Sequence, residues 1–83
     1  MYYVVIPAYE PDEKLLHLLD EIRVRLTCKT IVVNDGSSPV HQAIFDQAAL
    51  YATVLHHETN KGKGQALRTA FAYIQDQGGQ SVV

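Results

Sequence analysis

Apolar residues in this chain form two alternating kinds of segment. Short apolar runs rich in β-branched and aromatic residues predict four strands, at residues 2–6, 30–34, 52–56 and 80–83. Between these runs, apolar residues recur with helical spacing and predict three helices, at residues 11–26, 39–50 and 63–77. The βαβαβαβ order predicts a three-layer α/β domain, in which one parallel sheet carries helices on both faces.

Each predicted helix has an apolar face that should pack on the sheet. In the first helix, which Pro11 and two acidic residues open, this face comprises Leu15, Leu18, Leu19, Ile22 and Leu26. In the second helix it comprises Val40, Ile44, Ala48 and Tyr51. In the third it comprises Leu67, Ala70, Phe71 and Ile74. Gly78 and Gly79 should end the third helix, because glycine readily turns left-handed there.

Polar residues follow three of the predicted strands at the point where each strand ends. The segments are Pro7-Ala8-Tyr9-Glu10, Asn34-Asp35-Gly36-Ser37-Ser38 and Asn60-Lys61-Gly62-Lys63-Gly64. Because the carboxyl ends of parallel strands meet at one edge of a sheet, we expect a ligand site at this edge. We expect Asp35 at a solvent-facing strand end, where replacing it with alanine should change folding little.

The net charge of −2 on 83 residues gives no reason to expect nucleic acid as a partner. The charge is uneven, however, because the only charged residues between residues 59 and 75 are Lys61, Lys63 and Arg68. Positive charge beside glycines favours phosphate binding, whereas an ordinary helix start prefers acidic residues. The alternative is a solvated first turn of a helix.

Cys28 is the only cysteine, so the sequence offers no internal disulfide and no cysteine metal site. The sequence shows no signal peptide and no transmembrane segment. We therefore expect a cytoplasmic protein, which further regions could hold at the cytoplasmic face of a membrane.

Several other kinds of site fit the sequence poorly. Residues 60–65 lack the spacing of an NTP-hydrolysing P-loop, and the first strand does not lead into the Gly-x-Gly-x-x-Gly of a dinucleotide site. His56, His57 and Glu58 suggest a metal site, but consecutive strand residues point to opposite faces of a sheet. Structural or solvated histidines are the favoured interpretation.

The remaining interpretation is a site for a nucleotide that carries a diphosphate. Pro7 and Tyr9 would pack against the base, and Asp35 would accept a hydrogen bond from the base or the ribose. The glycines and lysines of residues 61–64 would bind phosphate through backbone N–H groups and positive charge.

In this order and spacing, three segments resemble the start of family 2 glycosyltransferases of the GT-A fold: residues 4–10, 31–38 and 60–67. The Asn-x-Gly-Lys-Gly-x-Ala form of the last is similar to that of dolichyl-phosphate and polyprenyl-phosphate sugar transferases. The resemblance implies the Rossmann-like, nucleotide-binding half of a GT-A domain. It further implies inverting transfer of a hexose from a nucleotide-diphospho-sugar to an acceptor such as a polyprenyl phosphate.

The resemblance also implies which residues bind the nucleotide: Pro7, Ala8, Tyr9, Glu10, Asp35, Gly36, Ser37, Asn60, Gly62 and Lys63. Two positions depart from the family pattern. Asn34 replaces the first of two aspartates, which we expect to alter the hydrogen bonds behind the site. Glu10-Pro11 replaces Asn-Glu, which moves a carboxylate one position earlier.

In this family an Asp-x-Asp motif that holds Mg²⁺ or Mn²⁺ on the donor diphosphate would follow Val83. We therefore interpret residues 1–83 as one partial domain that supplies donor binding, with no catalytic residue and no metal ligand of its own. The longer parent protein would be the active enzyme, and an exposed sheet edge could support a homodimer.

Two other functions stay open at this point. One is a non-catalytic module that uses the same pocket for nucleotide binding or assembly. The other is a flavodoxin-like or receiver-like signalling domain, in which Asp35 would be a modified or metal-binding acid.

Overall fold

The computed structural model describes residues 2–78 and 80–82, and within them four strands alternate with three α-helices. The strands are β1 (Tyr2–Ala8), β2 (Lys29–Asp35), β3 (Thr53–His57) and β4 (Gln80–Val82). The helices are α1 (Glu13–Arg25), α2 (Gln42–Ala48) and α3 (Lys63–Asp76), with a 3₁₀ turn at Pro39–His41 before α2.

All four strands run parallel in one sheet of order β3-β2-β1-β4. Val5 of β1 lies opposite Ile31 of β2, and Val33 of β2 lies opposite Leu55 of β3. The predicted three-layer parallel α/β fold is therefore confirmed. Because the strands are parallel, the exits of β1, β2 and β3 lie at the same edge of the sheet.

Two apolar layers cover the sheet, one on each face. On the α3 face the buried residues are Tyr3, Val5, Ile31, Val33, Ala66, Ala70 and Ile74. On the face of α1 and α2 they are Ala8, Leu15, Leu19, Val32, Phe45 and Ala48. Alternate residues of β2 thus enter opposite layers, as the period of two along a strand requires. This doubly covered strand ends in Asp35.

The predicted inner face of the second helix is partly wrong. Val40 and Tyr51 are 80% and 46% exposed, and Phe45, which was not predicted, is buried instead. The reason is that α2 is shorter than predicted: a 3₁₀ turn occupies Pro39–His41 and α2 runs only from Gln42 to Ala48, so Val40 and Tyr51 lie outside it.

The first helix also differs from the prediction at both ends. Asp12 is the N-cap and accepts a hydrogen bond from the backbone N–H of Lys14, so Pro11 lies before the helix. The helix ends at Arg25, and Leu26 is extended and 53% exposed. Leu18, on the same predicted face, is 45% exposed.

Glycine does follow the third helix, since Gly78 has a φ of +70°. Gly79 and Val83, which belonged to the predicted helix end and fourth strand, lie outside the described residues. In the described part of the chain, no helix has the length and apolar character needed to cross a bilayer.

Candidate functional site

A cavity of about 420 Å³ opens at the edge where β1, β2 and β3 end. The residues that line it, all among those predicted, are Pro7, Ala8, Tyr9, Asp35, Asn60, Gly62 and Lys63. Pro7 and Ala8 are the last residues of β1, and Asp35 is the last residue of β2. Tyr9 follows β1 directly. The remaining lining residues come from the loop between β3 and α3, here called the β3–α3 loop (residues 58–62), and from the first residue of α3.

Glu10, Gly36 and Ser37, the other predicted site residues, do not line this cavity. Gly36 has a φ of +74°, and a Cβ atom there would stand 2.2 Å from the backbone nitrogen of Asn60. Only glycine therefore allows the β3–α3 loop to pack on the end of β2. The Ser37 hydroxyl accepts a hydrogen bond of 2.8 Å from the backbone N–H of Glu10.

Asp35 is buried, at 4% exposure, and its carboxylate holds the β3–α3 loop. The backbone N–H of Lys61 donates to Oδ1 at 2.9 Å, and that of Gly62 donates to Oδ2 at 3.0 Å. In addition, the Asn60 amide donates to the Asp35 carbonyl oxygen at 3.2 Å. The expectation that Asp35 faces solvent is therefore wrong. Its contacts with the β3–α3 loop also argue against the expectation that replacing it with alanine changes folding little.

His57 is the third partner of this carboxylate. Its Nδ1 lies 2.9 Å from Oδ1 of Asp35, and its Nε2 lies 2.8 Å from the hydroxyl of Thr69 on α3. The hydrogen bond from His57, followed by that from the Lys61 backbone, lowers the pKa of the Asp35 carboxyl, against the opposing effect of burial. The aspartate is therefore ionised at neutral pH and accepts from all three groups.

Sequence reasoning did not find the pairing of Asp35 with His57. It follows from strand register, because Asn34 lies opposite His56 and Asp35 lies opposite His57. The two histidines thus contact different partners, as the alternation of strand side chains predicts. One sequence feature could have indicated the pairing: β2 and β3 each end in two consecutive polar residues, Asn34-Asp35 and His56-His57.

Asn34, which stands where the family has an aspartate, holds the turn after β2. Its Oδ1 accepts the backbone N–H of Ser37 at 2.9 Å, and its amide nitrogen lies 3.0 Å from Nδ1 of His56. An amide can donate to the ring nitrogen while its oxygen accepts, whereas an ionised aspartate only accepts. Asn34 therefore connects the turn after β2 to His56 on the neighbouring strand.

Glu10 stands in the left-handed region, with a φ of +49°. Its carboxylate accepts from the Ser38 hydroxyl at 3.2 Å and lies 3.6 Å from Nε2 of His41. Nδ1 of His41 in turn donates to the carbonyl oxygen of Pro11 at 3.1 Å. These contacts tie the loop after β1 to the loop after β2.

The amino end of α3 faces the cavity with a positive character. Gly62 is the N-cap with a φ of +91°, no side chain caps the helix, and its first turn contains no acidic residue. Lys63, the first helical residue, lines the cavity. An N-terminal dipole and a lysine together favour an anion at this point.

Within residues 2–78 and 80–82, no group of three or more histidine, cysteine, aspartate or glutamate side chains is placed to hold a metal ion. Asp35 is also a poor acceptor for covalent modification, because both of its oxygens already bind donors. This disfavours the receiver-like alternative.

Comparison with known proteins gives one match. Residues 3–78 match the family model described as glycosyl transferase family 2. No curated protein and no solved structure gives a significant match.

Proposed function

The chain belongs to glycosyl transferase family 2, and from this premise we propose that its cavity binds the nucleotide of a nucleotide-diphospho-sugar donor. The supporting observation is the polarity of the cavity wall. Pro7, Ala8 and Tyr9 form an apolar side, while Lys63 at the amino end of α3 forms a side that favours an anion. The N–H of Gly62 is already bound to the Asp35 carboxylate. This arrangement matches a ligand with a flat base at one end and phosphates at the other.

Tyr9 is suited to contact the base. It is 55% exposed and lines the cavity beside Pro7. A base that packs against the ring would remove this exposed aromatic surface from water, and stacking of a base on an aromatic side chain contributes about 1–3 kcal/mol.

Asp35 retains limited capacity for a ligand. Its Oδ1 accepts from two donors, but Oδ2 accepts only from the backbone N–H of Gly62. A carboxylate oxygen has two lone pairs, so Oδ2 can accept one further hydrogen bond, from a base N–H or a ribose hydroxyl. In this proposal Asp35 has two roles: it holds the β3–α3 loop in place, and it accepts one hydrogen bond from the ligand.

Within the proposed reaction, the described residues bind and orient the donor. No proton transfer and no metal-assisted step is assigned to them. The finer parts of the proposal are a longer parent enzyme, a divalent metal held by residues outside those described, an inverting outcome and a polyprenyl phosphate acceptor.

Calorimetric titration with UDP, GDP and the corresponding nucleosides tests the proposal. We expect one of the diphosphates to bind saturably and more tightly than its nucleoside. Lys63→Gln should weaken diphosphate binding by up to about fivefold, since a partly exposed charge contact contributes about 0.2–1 kcal/mol. It should leave nucleoside binding unchanged.

Lys14→Gln is the matched control, because Lys14 is an exposed residue of the first turn of α1 and does not line the cavity. It should leave binding of all four compounds unchanged. Absence of binding to both diphosphates would overturn the proposal, and so would equal effects of the two lysine substitutions.

A further inference from the structure

The contacts of Asp35 extend through His57 into α3. His57 is 9% exposed at the end of β3, and its ring bridges the carboxylate of Asp35 and the hydroxyl of Thr69. The same carboxylate binds the backbone N–H groups of Lys61 and Gly62, which lead into the first turn of α3. A single chain of hydrogen bonds thus joins the body of α3 to the loop that borders the cavity.

The ionised Asp35 carboxylate fixes the direction of the hydrogen bond that it forms with His57. Asp35 is ionised and can only accept, so Nδ1 of His57 carries the proton and donates. Nε2 lies 2.8 Å from the Thr69 hydroxyl. Because a hydroxyl can donate or accept, Thr69 holds the ring in the state that Asp35 sets.

We propose that His57 is a positioning residue for the nucleotide site: with its ring held at Nε2 by Thr69, it keeps the Asp35 carboxylate in the orientation that binds Lys61 and Gly62. Its effect on the ligand passes through the loop, because His57 does not line the cavity. The consequence for ligand binding rests on the proposed nucleotide function, whereas the consequence for the loop does not.

Two substitutions separate positioning from space filling. In His57→Asn the amide nitrogen can occupy the place of Nδ1, at the same number of bonds from Cα, and can still donate to Asp35. In His57→Gln the amide reaches the place of Nε2 and keeps the Thr69 contact but not the one to Asp35. Glutamine is closer to histidine in volume, so a space-filling role would make it the better substitute.

The first measurement is amide hydrogen exchange at Lys61 and Gly62, with the amides of β2 as the reference for global stability. Positioning predicts that His57→Gln speeds exchange at these two amides about tenfold relative to β2, a change of about 1.4 kcal/mol. His57→Asn should keep them near the wild-type ratio. Equal ratios in both variants, or the reverse order, would overturn the inference.

The second measurement is titration with the diphosphate that binds the wild-type protein. We expect His57→Gln to weaken binding about tenfold, and His57→Asn to stay within about threefold of wild type. If the wild-type protein binds neither UDP nor GDP, the proposed function fails. The hydrogen exchange rates of the two His57 variants at Lys61 and Gly62 still decide whether His57 positions the loop.

Nitrogen NMR of the His57 ring gives an independent test, because Nδ1 should carry the proton that it donates to Asp35. Thr69→Val keeps the shape but removes the hydroxyl that holds Nε2, so it should speed exchange at Lys61 and Gly62 relative to β2. Thr69→Ser should restore the wild-type ratio. A wild-type ring protonated only at Nε2 would contradict the proposal.

Discussion

The two loops that border the cavity are held in place by different means. The β3–α3 loop is bound by its own backbone N–H groups to the buried carboxylate of Asp35. The loop after β1 is held by contacts at the surface: the backbone N–H of Glu10 donates to the neutral Ser37 hydroxyl at 2.8 Å, and the Glu10 carboxylate contacts Ser38 and His41. Buried bonds to a charge contribute more than exposed ones. We therefore expect the phosphate side of the cavity to be rigid and the base side to be adaptable.

Asp35→Ala should have the largest effect in this comparison. It leaves two backbone N–H groups and the His57 ring without their acceptor, and a buried donor without a partner costs about 1–3 kcal/mol. We expect the free energy of unfolding in urea to fall by about 3 kcal/mol. Nucleotide binding should weaken as well, because the loop loses its anchor.

The control is Asp46→Ala, at an exposed residue of α2 whose carboxylate accepts only from the Gln42 side chain. It should change the free energy of unfolding by no more than about 0.5 kcal/mol. If the two alanine variants were equally stable, the carboxylate of Asp35 would not be holding the β3–α3 loop.

The effect of Asp35 should also depend on pH in a defined direction. Its pKa in the folded protein is lowered below that of the unfolded chain, which is about 3.9. Its contribution to stability is therefore complete above that value and is lost as the pH falls through the lower, folded pKa. Unfolding curves of wild type and Asp35→Asn should show a constant difference at neutral pH that narrows below about pH 4. A difference that stays constant down to pH 2 would contradict this.

Gly36→Ala should have the second-largest effect, since it separates the β3–α3 loop from the end of β2. The new Cβ would stand 2.2 Å from backbone atoms of Thr59 and Asn60, in a left-handed conformation. We expect a loss of about 2–3 kcal/mol in the free energy of unfolding.

Gly64→Ala is the matched control for this substitution. Gly64 lies inside α3, and no atom stands within 4 Å of an added Cβ. Because alanine is the better helix former, this variant should be as stable as wild type or more stable by up to about 1 kcal/mol. Equal losses at both glycines would show that the close approach at Gly36 is not what matters.

Much of the fold and of the cavity could be predicted from local sequence. The apolar run before Asn34 and the glycine after Asp35 indicate a buried strand with a ligand-binding exit, and the cavity lies there. The partners of Asp35 could not be predicted, because they depend on the register that sets it opposite His57 and on the path of the β3–α3 loop. The exposure of Val40 and Tyr51 could not be predicted either, because it depends on the 3₁₀ turn that precedes α2 and on the end of that helix at Ala48.

Glu10→Gly should give the smallest change and tests the adaptable side of the cavity. Glycine removes the strain of a left-handed residue, which favours the variant by about 1 kcal/mol, but it also removes the exposed contacts to Ser38 and His41. We expect stability to stay within about 1 kcal/mol of wild type. The freer loop should weaken nucleotide binding about two- to fivefold, because Tyr9 is then less fixed beside the base. Glu10→Gln keeps the strained backbone and should preserve binding. A loss with glutamine as large as with glycine would mean that the charge of Glu10, and not the order of its loop, supports the ligand.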